Sequence, residues 1–154
     1  MKIAVFAGSF DPFTYAHQNI VERGLSLFDK IVIAVGVNST KKGLMSFDDR
    51  VEAISDLFQS DERIEVRQFS GLTVDFCQEI GAKYLLRGLR NTADFEFENA
   101  IAQNNLQLAS EIETYFLMAK YGLAHISSTI VRDILLHRGD VSALVPKQVL
   151  RYIK

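Results

Sequence analysis

Five short apolar runs, each followed by a stretch of helical or loop character, set the pattern of this chain. They are KIAVFA (2–7), IVIAVGV (31–37), IEVRQF (64–69), KYLLRG (83–88) and ETYFLMA (113–119). The first two are continuous rather than alternating, which suits strands of a parallel sheet covered on both faces. Between the runs the spacing turns helical. From Thr14 onward Ile20, Val21, Leu25 and Phe28 are apolar, while Gln18, Glu22 and Arg23 are polar. Residues 46–59 form an amphipathic stretch with Ser46 and Asp49 as a capping box and Val51, Ile54, Leu57 and Phe58 facing inward. Residues 73–81 read as a helix capped by Thr73 and stopped by Gly81, and residues 92–109 as a longer one. Residues 127–139 end at Gly139, and Pro146 opens a last helix over 146–153. Strands alternating with helices predict βαβ units, hence an α/β protein with one doubly wound, five-stranded parallel sheet in a single domain over residues 1–154.

Composition narrows the function classes. The chain has 154 residues, a formal charge of −2 and no Lys/Arg-rich block, which disfavours nucleic acid as a partner. One cysteine, Cys77, excludes an intramolecular disulfide and a cysteine-rich metal site, and it reads as a small buried residue. No apolar run approaches the ~18 residues of a membrane span. The first apolar run leads straight into a turn, unlike a signal peptide, so a cytoplasmic protein with no membrane partner is expected. His17, His125 and His137 are far apart, no H-E-x-x-H occurs, and no metal-ligand residues are expected. His137, at a helix C-terminus, reads as a surface cap.

The segment GSFDPFTYAH (8–17) links the first strand to the first helix. Gly8 permits a turn and a close approach to the backbone, and Asp11-Pro12 is a second turn signal. Thr14 is the expected N-cap, which puts His17 in the first helical turn. A strand, a glycine turn and a helix start expose backbone N–H groups and favour an anion. Spacing alone leaves His17 open between a solvated surface residue and a donor to that anion.

In a doubly wound sheet, ligands bind beyond the carboxyl ends of the strands near the switch point. The loops expected there carry Ser9, Phe10 and His17, then Lys41 and Lys42, then SGLT (70–73), then RGLR (87–90), then KYGLAHISST (120–129). Taken singly, the lysines read as solvated loop residues, the arginines as surface charges and ISST as a plain helix cap. Together, cations and two helix starts on one edge of an acidic protein point to a phosphate-rich ligand. Neither a P-loop nor the dinucleotide fingerprint is present.

Four blocks, GSFDPFTYAH, the KK pair, RGLRNTADFEFE and HISSTIVR, together resemble the bacterial phosphopantetheine adenylyltransferases. That family belongs to the nucleotidyltransferase superfamily, marked by T/H-x-G-H near the N-terminus and I-S-S-T or a similar run near the C-terminus. The resemblance covers essentially the whole chain, and RGLRNTADFEFE is its most specific part. One departure stands out. The family's usual T-N-G-H is TYAH here, with Tyr15 in place of asparagine and Ala16 in place of glycine.

The resemblance implies a Rossmann-like nucleotidyltransferase fold and the reaction of ATP with 4′-phosphopantetheine, giving dephospho-coenzyme A and pyrophosphate with Mg²⁺. It implies His17 at the α-phosphate and Lys41 at the pantetheine phosphate as the catalytic pair. It implies Ser9 and Phe10 against both substrates, and Thr73 and Arg87 against phosphopantetheine. Gly88, Leu89, Arg90 and Glu98 would contact ATP. Leu123, Ala124, His125, Ile126, Ser127, Ser128 and Thr129 would form a second nucleotide loop, the three hydroxyl residues near the β- and γ-phosphates. It further implies a homohexamer, with coenzyme A as a candidate feedback ligand. Without the resemblance, Glu96 and Glu98 read as helix-surface charges, and Phe95 and Phe97 as packing residues. Two rival readings remain: a sister transferase acting on another phosphorylated acceptor, and a nucleotide-binding regulator without turnover. RGLRNTADFEFE opposes the first. A second phosphate-binding cluster, which ATP sensing does not need, opposes the other.

Overall fold

The computed structural model describes residues 1–38 and 43–153. Its strands are β1 (Ile3–Gly8), β2 (Lys30–Gly36), β3 (Ile64–Phe69), β4 (Tyr84–Leu89) and β5 (Glu113–Met118). Its helices are α1 (Tyr15–Gly24), α2 (Phe47–Leu57), α3 (Thr73–Ile80), α4 (Thr92–Leu108), α5 (Ser128–Leu136) and α6 (Lys147–Leu150). All strands are parallel, in the order β3-β2-β1-β4-β5. The chain steps outward from β1 to β3, then returns past β1 to lay down β4 and β5. The expected doubly wound α/β sheet is therefore present, with its switch point between β1 and β4.

The continuous apolar runs of β1 and β2 follow from burial on both faces. Ala4, Phe6, Ile31, Ile33 and Val35 enter one core with Ile20 and Val21 of α1, Ile54 of α2, Val131 of α5 and Val149 of α6. The intervening Val5, Ala7, Val32 and Ala34 enter the other with Val74, Phe76 and Cys77 of α3. Successive strand side chains point to opposite faces, so each apolar position has a core to fill. Burial pushes the Cys77 thiol up to about 12, and it is a packing residue.

Several local expectations shift by a residue. Thr14 caps α1 and Ser46 caps α2, where the Ser46 hydroxyl accepts the Asp49 N–H at 3.1 Å, which is one half of the expected capping box. Leu72, with no side-chain cap, holds the N-cap position of α3, and Thr73 is its first helical residue. Pro146 occupies the N-cap position of α6, and that helix ends at Leu150 rather than reaching 153. At the end of α5 the left-handed residue is Arg138, at φ +61°, while Gly139 donates its N–H to the Ile134 carbonyl at 2.8 Å. No helix among the described residues is long and apolar enough to cross a membrane.

Candidate active site

The site lies where the sheet reverses. Beyond Gly8 the chain turns through Ser9 and Phe10 to a cis Asp11–Pro12 peptide. Phe10 takes φ +47°, a left-handed backbone that a bulky residue rarely adopts. Such a conformation costs on the order of 1–3 kcal/mol. Burying the ring offsets it by about 1.5–3 kcal/mol. The ring packs 5.2 Å from that of Phe6 and 5.3 Å from that of Phe13. A Cβ on Gly8 would lie 3.0 Å from Phe10 Cζ, so glycine here lets the ring fold back over the strand end. Folding Phe10 inward leaves Ser9 exposed on the turn.

Helix α1 begins with a capping box in which histidine takes the place usually held by Glu or Gln. The Thr14 hydroxyl accepts the His17 N–H at 3.4 Å, and the Thr14 N–H donates to His17 Nδ1 at 3.0 Å. Because Nδ1 accepts, the neutral ring carries its hydrogen on Nε2. Phe6, Phe10 and Phe13 surround the imidazole at ring separations of 5.1–6.1 Å. Burial, then the charges of Arg87 and Arg90, hold its pKa down to about 3. His17 is a neutral donor at physiological pH and a poor proton acceptor.

A cleft of about 310 Å³ opens over this turn. Ser9, Phe10, His17, Arg87, Gly88, Leu89, Arg90, Glu98, Leu123, Ile126, Ser127, Ser128 and Thr129 all line it. Ala124 and His125 are exposed and lie outside that lining. A second cleft of about 220 Å³ is lined by Thr73 with Phe69, Ile101, Ala102 and Asn105. The two clefts share Ala7, Gly8, Arg87 and Glu98 as a common wall. Lys41 and Lys42 lie outside the described residues.

Both arginines of RGLR are tied to carboxylates. Arg87 Nε and Nη2 donate to the two Glu98 oxygens at 2.9 and 2.6 Å, and its Nη1 donates to the Ala7 carbonyl. Arg90 Nε and its backbone N–H each donate to Asp94 Oδ2 at 3.0 Å. The guanidiniums are thus oriented, and their field is weaker than the motif alone suggests. Glu98 lines the larger cleft, where nucleotide contact is expected of it, and also grips Arg87.

The start of α5 closes the other side. Ser127 is the N-cap, its Oγ accepting the Ile130 N–H at 3.2 Å. The Ser128 hydroxyl donates to the Pro12 carbonyl at 2.8 Å, so its hydrogen is engaged by the first turn. Ser127 and Thr129 use their oxygens as acceptors and keep hydroxyl hydrogens to offer. The unpaired N–H groups of this helix start add to the anion-binding character of the cleft.

Sequence reasoning passed over several residues here. Asn19, Asp94 and Lys120 also line the first cleft. Asn19 stands three residues after Ala16, another lining residue, a spacing that shares a helix face. Asp94 follows Arg90 by four, and Lys120 comes just after β5. In the second cleft Glu98, Ile101, Ala102 and Asn105 fall at one helical face of α4. Asp11 showed in the sequence only as part of a turn and Arg132 only within HISSTIVR; nothing there signalled that Asp11 pairs with Arg50 or that Arg132 donates to the Asp11 carbonyl.

Among the described residues no group of three His, Cys, Asp or Glu side chains is placed to hold a metal ion. The arrangement suits binding and orienting phosphates. It offers a neutral imidazole donor, tethered guanidiniums and a helix start, with a second compartment adjoining.

Comparison with known proteins agrees with this architecture. The family model described as Cytidylyltransferase-like matches residues 5–134. A protein of Flavobacterium psychrophilum named phosphopantetheine adenylyltransferase is 49% identical over 149 residues, covering 97% of this chain and 98% of its own length. One of the same name from Cytophaga hutchinsonii is 47% identical, covering 96% and 99%. Another, from Leptospira biflexa, is 48% identical, covering 96% and 92%.

Proposed function

The chain belongs to the phosphopantetheine adenylyltransferases, and from that premise we propose that its two joined clefts hold the two substrates of one reaction. The enzyme transfers the adenylyl group of ATP to 4′-phosphopantetheine, giving dephospho-coenzyme A and pyrophosphate in coenzyme A biosynthesis. In this reading ATP occupies the larger cleft and phosphopantetheine the smaller. The observation that carries it is the shared wall, where Arg87, held bidentately by Glu98, borders both compartments at once.

The chemistry follows from charge. A phosphate oxygen of 4′-phosphopantetheine, already anionic at neutral pH, attacks the α-phosphorus of ATP. The bond from that phosphorus to the bridging α–β oxygen breaks, and pyrophosphate leaves with the electron pair. No strong base is needed, which agrees with a His17 that resists protonation. The difficulty is bringing two polyanions together, so positioning and electrostatic stabilisation are the main terms. His17 Nε2–H donates to the α-phosphoryl oxygens as charge develops there. Arg87 and Lys41 orient the acceptor phosphate, and Thr73 borders the pantetheine arm. Gly88, Leu89 and Arg90 contact the nucleotide. The start of α5 receives the β- and γ-phosphates through Ser127, Thr129 and backbone N–H groups.

As the counter-ion of ATP, Mg²⁺ would be held by substrate phosphate oxygens and water and would supply neutralisation of phosphate charge. Asp94 and Glu98, the carboxylates lining the ATP cleft, already hold Arg90 and Arg87, which favours an ion carried by substrate. Assembly with other copies of the chain is supported by the apolar side chains left exposed on α4 and β5, among them Phe97 at 68% and Met118 at 59%; six subunits is the number the family resemblance implies. Helix α4 has 17 residues and buries only Ala102, as a helix covered by another subunit would. The cytoplasm is the proposed location. Coenzyme A, which carries both substrate halves, is the candidate feedback ligand of the joined clefts.

The test is pyrophosphate release from MgATP with and without 4′-phosphopantetheine, wild type beside His17→Ala. Release that requires phosphopantetheine and collapses in the variant supports the reading. Release with no acceptor requirement counts against it.

A further inference from the structure

The lining of the larger cleft carries a surplus positive charge, and the surplus sits on a residue that none of the motifs contains. Arg87 is balanced by Glu98 and Arg90 by Asp94, and all four side chains line the cleft. His17 is neutral. The one remaining charged side chain of that lining is Lys120, which has no hydrogen bond or ion pair among the described residues. Both lining carboxylates are taken by guanidiniums: Glu98 accepts Arg87 at 2.9 and 2.6 Å, and Asp94 accepts Arg90 at 3.0 and 3.3 Å.

The fold fixes the root of this side chain on three sides. The Ala119 N–H donates to the Leu89 carbonyl at 2.7 Å, which carries the β4–β5 ladder one step past the strand end. Arg23 Nη1 donates to the Met118 carbonyl at 2.7 Å and ties the same end to α1. The Lys120 carbonyl accepts the Leu123 N–H at 3.0 Å, beginning the turn that leads to α5. In the order β1-β4-β5 this root stands two strands from β1. Strands are spaced ~4.8 Å apart, so roughly 10 Å separates it from the edge where the turn to His17 begins. The flexible four-carbon stem of a lysine, with one hydrogen bond at its tip, covers about that span.

Resting on the proposed function, we propose that Lys120 is a further ATP-binding residue, whose ammonium reaches from the end of β5 to the phosphates of the nucleotide. A hydrated ammonium gains little from the uncharged nitrogens and hydroxyls of a nucleoside, whereas an anion offsets the water it gives up. The paired arginines orient the nucleotide, and Lys120 supplies the charge that their carboxylates cancel.

The experiment titrates ATP and, separately, 4′-phosphopantetheine into wild type, Lys120→Met and Lys120→Arg by calorimetry at low and high salt, with thermal unfolding alongside. Methionine keeps most of the apolar stem and removes the charge; arginine keeps the charge. In low salt the Kd for ATP should rise about fivefold in Lys120→Met, the weight of one partly exposed charge contact. At about 0.5 M NaCl the gap should shrink to under about twofold, because an exposed charge is screened. Lys120→Arg should stay close to wild type, and phosphopantetheine affinity should be unchanged throughout. An unchanged ATP Kd in Lys120→Met, a loss that salt does not diminish, an equal loss in Lys120→Arg, or equal weakening of both ligands would overturn the proposal. Wild type that binds no ATP would overturn the functional reading and this inference together. Wild type that binds ATP but no phosphopantetheine counts against the functional reading alone, and the salt response of ATP binding still decides the role of Lys120.

Discussion

His17 Nδ1 accepts the backbone N–H of Thr14 at 3.0 Å, so the bond that caps the first helix also fixes which imidazole nitrogen carries the hydrogen. Helix start and candidate catalytic donor are one device. The residue that would do the chemistry closes the capping box, and its tautomer is set by the fold rather than by substrate.

If His17 acts as a neutral donor, a side chain that keeps a donor should outperform one that does not. His17→Ala is expected to lose on the order of 10²–10³ in turnover, the usual effect of deleting one stabilising donor. ATP affinity should change little. His17→Gln, which can place an amide N–H near the Nε2 position, should retain more turnover than His17→Ala. Steady-state kinetics on the three proteins decide the point, and equal losses would argue against donation.

The depressed His17 pKa makes a pH prediction with a definite sign. The native imidazole stays neutral down to about pH 3, whereas an unfolded one protonates near 6.5. Between those values the unfolded chain binds the extra proton, so wild-type stability falls as pH drops. Relative to His17→Gln, the wild type should lose stability between pH 6.5 and pH 4. Urea unfolding of both proteins at pH 7.0 and 4.5 measures the difference, and parallel losses would show an imidazole that is not desolvated.

Glu98 holds Arg87 with two short bonds in the wall between the clefts. Glu98→Gln should free the guanidinium and raise the KM for phosphopantetheine several-fold. Because the pair is partly exposed, the stability loss should be small, about 1 kcal/mol. Initial-rate measurements varying each substrate test this. An effect confined to ATP would place Glu98 at the nucleotide instead.

Ala16 lines the ATP cleft one residue before His17. Ala16→Gly removes a methyl from that wall and should tighten ATP binding a few-fold. It should also cost about 0.5–1 kcal/mol in stability, because glycine in a helix loses more backbone entropy. Calorimetry with ATP and a thermal melt separate the two effects. Unchanged affinity would show that the methyl does not touch the nucleotide.

The exposed apolar side chains of α4 and β5 predict an assembly. Phe97→Asp should place a charge in the proposed subunit interface and shift the proposed hexamer to smaller species. Light scattering coupled to size exclusion reads the mass directly. A wild type that runs as a monomer would remove the hexamer from the proposal.

What the sequence by itself determined is local and periodic. The apolar runs of β1 and β2 announced burial on both sides, because successive residues of a strand point to opposite faces, and a continuous apolar run needs a core on each. Thr14 and Ser46 announced helix starts, because a hydroxyl there can satisfy an otherwise orphaned N–H. The four family-like blocks picked out most residues that line the larger cleft. What only the tertiary structure decided concerns partners far apart in the chain. No spacing rule joins Asp11 to Leu44 and Arg50, or Ser128 to Pro12, since sheet topology alone brings these segments together. Arg87 and Arg90 looked like bare cations in sequence, and folding supplied their carboxylates. The His17 imidazole looked like an ordinary histidine. Its tautomer and low pKa arise from a cap, three phenyl rings and two guanidiniums that converge only when β1, β4 and the first helix pack against one another.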